Sequence, residues 1–389
     1  MTLYILTMRI AHVVSTFPPH IGGMGEVALE EAKGLQARGH EVTVCTLRYP
    51  NTAYDDHSFP FKVNRFQPLI RLGDGGWVPG LTTALKDFDI LHLHYPFYGG
   101  AEWVRQAAHR YKKPYVVTYH MDAAPTGIIK PFIKSFYDRL VAWKVLRQAK
   151  AVIGVDREHF LNTEFGKRLL NFQRCVEIKL GVDTELFKPQ TTSLDFSKFP
   201  SGVQGKKIIL FVGNLIPFKR LDLLLETFKN ISYSEPDAVL MVVGGGYQSK
   251  HYQHLAEELG VGERVFFTGP CTDKNQLVAY YNAATALVMP SDQGESFSLV
   301  VSEAMASGTT VIVSDIPGLK GRVEDRKDGF VFHSQDTEDL ARVLVEVLHL
   351  SLEERKSIGE NARKKMIAHF SWEKHVGELE ELYKDILQV

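Results

Sequence analysis

Cysteine is scarce in this chain: three among 389 residues, at positions 45, 175 and 271, none in a CxxC pair or beside histidines at metal-ligand spacing. That argues against a disulfide framework and a sequence-local zinc site, and makes a reducing cytoplasm the expected location. Long apolar runs are missing as well. No stretch of 18 apolar residues occurs, so no membrane-spanning helix is expected, and the opening MTLYILTMRIAHVV has no basic leader with a cleavage site. Neither half opens on a GxGxxG after a strand, which disfavours a dinucleotide-dependent dehydrogenase. Charge excess is also lacking, the formal net charge being −1, and nucleic acid is not an expected partner. The charge is nevertheless uneven: residues 1–190 carry 24 Lys+Arg against 18 Asp+Glu, and residues 191–389 carry 21 against 28. Either the first half faces an anionic partner, or the imbalance belongs to the surface alone.

What is present is an ordinary globular composition, 44 % hydrophobic and 23 % charged, in a chain long enough for two domains. Short β-branched runs at 9–14, 41–47, 90–94, 115–120 and 151–155 alternate with amphipathic stretches, and the pattern restarts at 206–214, 239–246, 264–269, 286–291 and 310–315. Strands separated by helices predict parallel βαβ units. The expected fold is therefore α/β, two doubly wound Rossmann-like domains facing a cleft, over residues 1–190 and 191–372. The Pro, Ser, Thr and Gly of 189–205 read as the linker.

Three stretches carry chemistry. Gly22-Gly23-Met24-Gly25 follows the first strand and opens a helix, where backbone N–H groups can approach a ligand or merely form a tight turn. FVGNLIPFKRLDLLLETF places Lys219 between a strand-ending loop and a helix, positioned for phosphate or simply solvated. In GESFSLVVSEAMASG, Glu295 and Glu303 stand eight positions apart around a helix start near Ser298 and Leu299. Ser298 is read as the capping residue, and the helix end offers free N–H groups and a positive dipole to a diphosphate. The two acids, about 12 Å apart along a helix, then suit vicinal diols on either side of it. The bland alternative is a helix-end acid and a surface acid. His92 and His94 share one strand face with no third ligand evident, so packing or acceptor lining is preferred to metal. Residues 128–150 hold six basic side chains against Asp138 amid aromatics. They read as a core helix with a basic rim, or as a peripheral membrane contact.

Taken in order, GGMG with GLQARGHEVTV, LGVDTELFKP, VGNLIPFK, Tyr281-Asn282-Ala283-Ala284, MPSDQGESFSLVVSEAMASG and FSWEKHVGELEELY resemble the family 4 (group 1) retaining glycosyltransferases of GT-B architecture. The likeness runs from about Met8 to the C-terminus, and the E-x7-E pair is its most specific part. It implies hexosyl transfer from a nucleoside diphosphate sugar to an acceptor hydroxyl without a metal ion or cofactor. The expected donor is a UDP-sugar, with GDP-mannose and ADP-glucose as alternatives, and the acceptor a glycan, a lipid-linked sugar or a small molecule.

By the same resemblance Glu295 holds the donor sugar, Glu303 the ribose, and Ser296, Phe297, Ser298 and Leu299 with Lys219 the diphosphate. Gly213, Asn214 and Arg220 line the donor site, His120 stands beside the reacting carbon, and Gly23 and Gly25 lie near donor phosphates and acceptor. The final helix, from about residue 373, crosses back to the first domain. Asn214 occupies a position where similar proteins usually have Arg, Ser296 and Ser298 stand where they have glycine, and GLPE is replaced by Gly318-Leu319-Lys320-Gly321. The rival readings are a weak or inactive nucleotide-sugar-binding relative and a GT-B epimerase.

Overall fold

The structure, a computed structural model, describes residues 7–20, 22–50, 52–121, 137–169, 174–190, 195–292 and 294–388. It divides into two compact units, one built from the chain up to Gly181 together with Trp372 onward, the other from Val182 to Ser371. The first joint precedes the composition shift near 190. Val182 N–H donates to Phe370 O at 2.8 Å, Arg363 donates to Phe187 O at 2.9 Å, and Gln190 N–H donates to Asn282 at 2.7 Å, so the 182–190 stretch is tied to the second unit.

In the first unit, β1 (Arg9–Val13), β2 (Glu41–Leu47), β3 (Lys62–Phe66), β6 (Ile90–Tyr95), β7 (Tyr115–Tyr119), β8 (Ala151–Gly154) and β9 (Cys175–Glu177) form a parallel sheet of order β3-β2-β1-β6-β7-β8-β9. A separate antiparallel hairpin joins β4 (Ile70–Leu72) and β5 (Gly75–Trp77). Because successive side chains on a strand point to opposite faces, Ala11 and Val13 join one core with Leu91, Leu93 and Val117, while Ile10 and Val14 join another with Ile90 and Val116. The helix Gly23–Ala37 covers the second face with Ala28, Leu29, Ala32 and Leu35, and the last helix, Trp372–Leu387, adds Val376, Leu379, Leu382 and Tyr383.

The second unit repeats the plan with β10 (Lys207–Val212), β11 (Ala238–Val243), β12 (Val265–Gly269), β13 (Ala286–Met289), β14 (Val311–Ser314) and β15 (Phe330–Phe332), in the order β12-β11-β10-β13-β14-β15. Leu221, Leu224, Leu225 and Phe228 of the helix Leu221–Ile231 face the same core as Leu340, Val343, Leu344 and Val347 of Thr337–His349. In both sheets the order reverses beside the first strand, between β1 and β6 and between β10 and β13. Such switch points are where doubly wound sheets open a crevice at the carboxyl ends of their strands.

Candidate functional site

Two chain segments meet at the switch point of the second sheet. Past β10 the chain runs through Gly213 and Asn214 to a 3-10 turn, Pro217–Lys219, and past β13 it runs through Pro290 and Ser291 to the helix Leu299–Ala306. Lys219 and Glu295, 76 positions apart, form an ion pair there, and Ser291 Oγ donates to the same carboxylate oxygen at 3.1 Å. Both side chains are nearly buried, 12 % and 7 % exposed, so neither is a solvated surface charge. Burying an ion pair costs desolvation that its attraction only partly offsets, and a ligand with anionic and hydroxyl groups could share both partners. Asn214 is exposed, and the Arg220 guanidinium is held by Asp222 at 3.0 Å rather than by Glu295.

The loop from Ser296 to Ser298 is buried and held from behind. Arg322, 4 % exposed, donates to the carbonyls of Phe297 and Ser298 and stacks on the Phe297 ring at 3.5 Å. Gly318 lies so close that a Cβ there would come 2.3 Å from the Glu295 carbonyl oxygen, so this position admits only glycine without movement of the loop. Ser298 does occupy the N-cap position, but its side chain makes no cap hydrogen bond, contrary to the expected capping role, because φ of 60° turns the residue away from the usual cap geometry. Its hydroxyl is buried without a partner. The first-turn amides of a helix lack intrahelical acceptors, and no Ser298 side chain closes them off. One turn into this helix, Glu303 accepts from Tyr281 OH at 2.7 Å. Tyr281 is fully buried, and burial followed by the Glu303 charge holds its phenol well above the usual range.

In the first unit the glycine loop opens the helix Gly23–Ala37, with Gly22 as N-cap. A Cβ on Gly25 would lie 2.7 Å from Thr16 O, so close backbone packing explains that glycine, whereas the space over Gly23 is open. His120 follows β7 and is 7 % exposed. It is the outer end of a buried chain: His120 Nε2 lies 3.0 Å from His94 Nδ1, and His94 Nε2 lies 3.0 Å from His12 Nδ1. Register explains the cluster, since His12 of β1 pairs with His92 of β6, and His94 follows two residues on along the same face. Glu31, from the helix above, places Oε2 within 3.4–3.5 Å of ring nitrogens of His12, His92 and His94.

Burial lowers the imidazoles, to about 4 for His12 and His120 and about 3 for His92, and His94 falls well below its usual value. Burial alone would raise Glu31, but the rings of His92 and His94 and the hydrogen bond from His375 hold it well below the usual carboxylate range. Sequence reasoning found the His92–His94 pair and missed its other members. His12 and Glu31 sit in unremarkable strand and helix patterns, and only sheet register brings them together.

Of the basic stretch 128–150, residues 128–136 lie outside the described residues. From Asp138 a π turn to Ala142 leads into the helix Trp143–Gln148, whose Val145 and Leu146 are buried. Among the described residues, no helix is long and apolar enough to cross a membrane.

Residues 21–186 match the family described as Glycosyltransferase Family 4, and residues 195–365 match Glycosyl transferases group 1. Similar relatives include D-inositol 3-phosphate glycosyltransferase of Corynebacterium aurimucosum, 29% identical over 316 residues that cover 78% of this chain and 73% of the relative. The same enzyme of Corynebacterium glutamicum (strain R) is 29% identical, with 94% and 92% covered. Among solved structures, sucrose-phosphate synthase from Thermosynechococcus elongatus superimposes with a TM-score of 0.81 at 24% identity, covering 98% of this chain and 99% of that one. Anabaena HepE in complex with UDP-glucose gives 0.79 at 18% identity, covering 97% and 100%. At these identities the solved structures establish the fold, which is GT-B.

Proposed function

Since the chain belongs to the family 4, group 1 glycosyltransferases, we propose that it moves a hexosyl unit from a nucleoside diphosphate sugar to an acceptor hydroxyl with retention of configuration. The observation that carries this reading is the pairing of Lys219 with Glu295 at the switch point, beside the start of the helix Leu299–Ala306. When a donor enters, Lys219 turns to the diphosphate and Glu295 accepts hydroxyls of the sugar. The helix amides take the remaining phosphate charge, and Glu303, steadied by Tyr281, takes the ribose diol.

As the glycosidic bond breaks, negative charge grows on the leaving diphosphate, and groups already aimed at it stabilise the transition state more than the ground state. No side chain is assigned as a covalent nucleophile, so the acceptor attacks from the face the diphosphate leaves, and the diphosphate takes up the acceptor proton. No metal ion is required at the phosphates. His120 is assigned to the reacting carbon, and Gly23 and Gly25 to the donor phosphates and the acceptor. An inositol phosphate acceptor in the relatives' names, with the positive first half and the basic 128–150 segment, supports an anionic or lipid-linked acceptor. UDP-glucose bound to HepE supports a UDP-sugar as the first donor to test.

Thermal-shift screening of UDP-, GDP- and ADP-sugars on the full chain, followed by transfer to polyol phosphate and glycan acceptors, tests the proposal. A ligand that binds only the folded form raises the melting temperature. The expected outcome is one raised melt and an α-linked product from an α-linked donor, read by NMR. No shift with any donor and no transfer would overturn it. Exposed Asn214, and Arg220 already held by Asp222, favour one second reading, a weak or inactive binder. Binding without turnover supports that alternative.

A further inference from the structure

The core of the first unit holds a carboxylate with one oxygen that its surroundings do not satisfy. Glu31 Oε2 is buried and makes no hydrogen bond, while His12 Nδ1, His92 Nδ1 and His94 Nε2 stand 3.5, 3.4 and 3.5 Å from it. All four side chains, from two strands and one helix, are fully buried, so this oxygen faces three ring nitrogens across a gap that no hydrogen bond closes. Leaving a carboxylate so placed is costly.

We propose that His12, His92, His94 and Glu31 bind a divalent cation of the zinc class within the first unit, as a structural ion. Ligands about 2.0–2.1 Å from zinc at tetrahedral corners stand roughly 3.3–3.4 Å from one another. The three oxygen–nitrogen separations of 3.4–3.5 Å and the His12–His94 separation of 3.0 Å bracket that spacing, and the four ligand atoms all lie within 4.8 Å. A set of imidazoles with one carboxylate suits zinc and its neighbours rather than magnesium or calcium, which prefer oxygen.

The outer hydrogen bonds agree with this assignment. A ligating histidine donates its remaining N–H to a partner that fixes the ring. With Nδ1 on the ion, His92 Nε2–H donates to Thr118 Oγ1 at 2.7 Å. With Nε2 on the ion, His94 Nδ1–H donates to His120 Nε2 at 3.0 Å. The free oxygen of Glu31, Oε1, accepts from His375 Nε2 at 2.9 Å, and His375 Nδ1 donates to Lys179 O at 2.9 Å. His12 Nε2 alone lacks such a partner. One group competes: Tyr383 OH lies 2.6 Å from His92 Nδ1, the atom the ion needs. Loading therefore displaces that hydroxyl. The ion would also set the tautomer of His120, which must then accept at Nε2 and carry its proton on Nδ1.

The test uses the full chain, stripped with a chelator and titrated with Co2+ and then Zn2+, with metal content read by elemental analysis after gel filtration. One equivalent of Zn2+ per chain, tetrahedral-intensity Co2+ absorption bands and a raised melting temperature are expected. Glu31→Gln, nearly isosteric, should weaken binding at least 100-fold while circular dichroism stays native. His375→Asn should weaken it about 10–100-fold, and Tyr383→Phe should strengthen it several-fold by removing the competitor. The proposal is overturned if folded wild-type protein holds no stoichiometric metal and Co2+ gives only its aqueous spectrum. It is equally overturned if Glu31→Gln binds as wild type does. Neither readout depends on sugar transfer, so this inference and the proposed activity stand or fall separately.

Discussion

At the residue scale, the Lys219–Glu295 pair sets a conflict between stability and turnover. Removing one partner of a buried ion pair strands the other, and such losses run to about 3–5 kcal/mol, whereas removing both charges is often nearly neutral. Lys219→Met is therefore expected to lower the urea midpoint clearly, and Lys219→Met with Glu295→Gln to recover most of that loss. Catalysis should not recover. Each charge aimed at the developing transition state contributes on the order of 10²–10³ in kcat, so the double variant should be stable and slow. A double variant as active as wild type would remove Lys219 from the transfer chemistry. The backbone shows a related strain: Ser298 and Arg220, on the two loops of the site, are non-glycine residues with φ of 60° and 52°. Such conformations persist only where the surroundings impose them, and they cluster at functional sites. At Ser298 the restraint is visible as Arg322 gripping its carbonyl.

At the element scale, local rules and sheet register contributed different parts of what could be read from the sequence. The helix start at Gly23 and the strands Glu41–Leu47 and Tyr115–Tyr119 follow from period and punctuation, because each carries its own pattern within a few residues. Three-residue strands such as Cys175–Glu177 and Phe330–Phe332 carry no period long enough to register. The Glu295–Glu303 spacing and Lys219 were legible as motifs, but Arg322 was not, since a lone arginine announces nothing until the fold sets it on Phe297.

The start of the helix Thr337–His349 gives a prediction with a definite sign. Burial alone would raise Asp339, but the His333 backbone amide, then Arg342 and the His333 ring, hold its carboxyl down to about 2, while the Asp339 bond raises His333. The depressed acid stabilises above its unfolded value, near 4, and loses that contribution as pH falls through 2. The raised imidazole stabilises below about 6.5 and loses its share as pH climbs through its folded value. Asp339→Asn should therefore destabilise most between about pH 4 and 6.5 and less at pH 8, where Arg342 alone remains charged. Below pH 2, where the carboxyl is protonated in both states, the difference from wild type should vanish. The His333 side chain is 79% exposed, so its share is small. Urea melts of both proteins across pH check the shape, and a difference that grows above pH 8 would contradict it.

At the scale of the whole molecule, the chain enters the second unit after Gly181 and leaves it before Trp372, so the last helix is a distant piece of the first unit's core. The sequence lets it sit close: a Cβ on Gly34 would lie 2.5 Å from Val376 Cγ2, so only glycine admits the helix at this distance. Around that contact Arg38 pairs with Glu380 at 2.9 Å, His375 reaches Glu31, and Val376, Leu379, Leu382 and Tyr383 are buried. Each apolar side chain so buried contributes about 1.5–3 kcal/mol, which for several of them together approaches the whole stability of an ordinary domain. A chain ending at Ser371 is therefore expected to lose the cooperative unfolding of the first unit while the Val182–Ser371 unit still melts as one transition. Gly34→Leu should do the same in the intact chain by pushing the helix away. Urea unfolding followed by proteolysis and mass spectrometry separates the two units, since fragments from each report its protection. If the truncated chain protects residues 9–119 as well as the full chain does, the last helix is an accessory to that unit and the sheet with its own helices is sufficient.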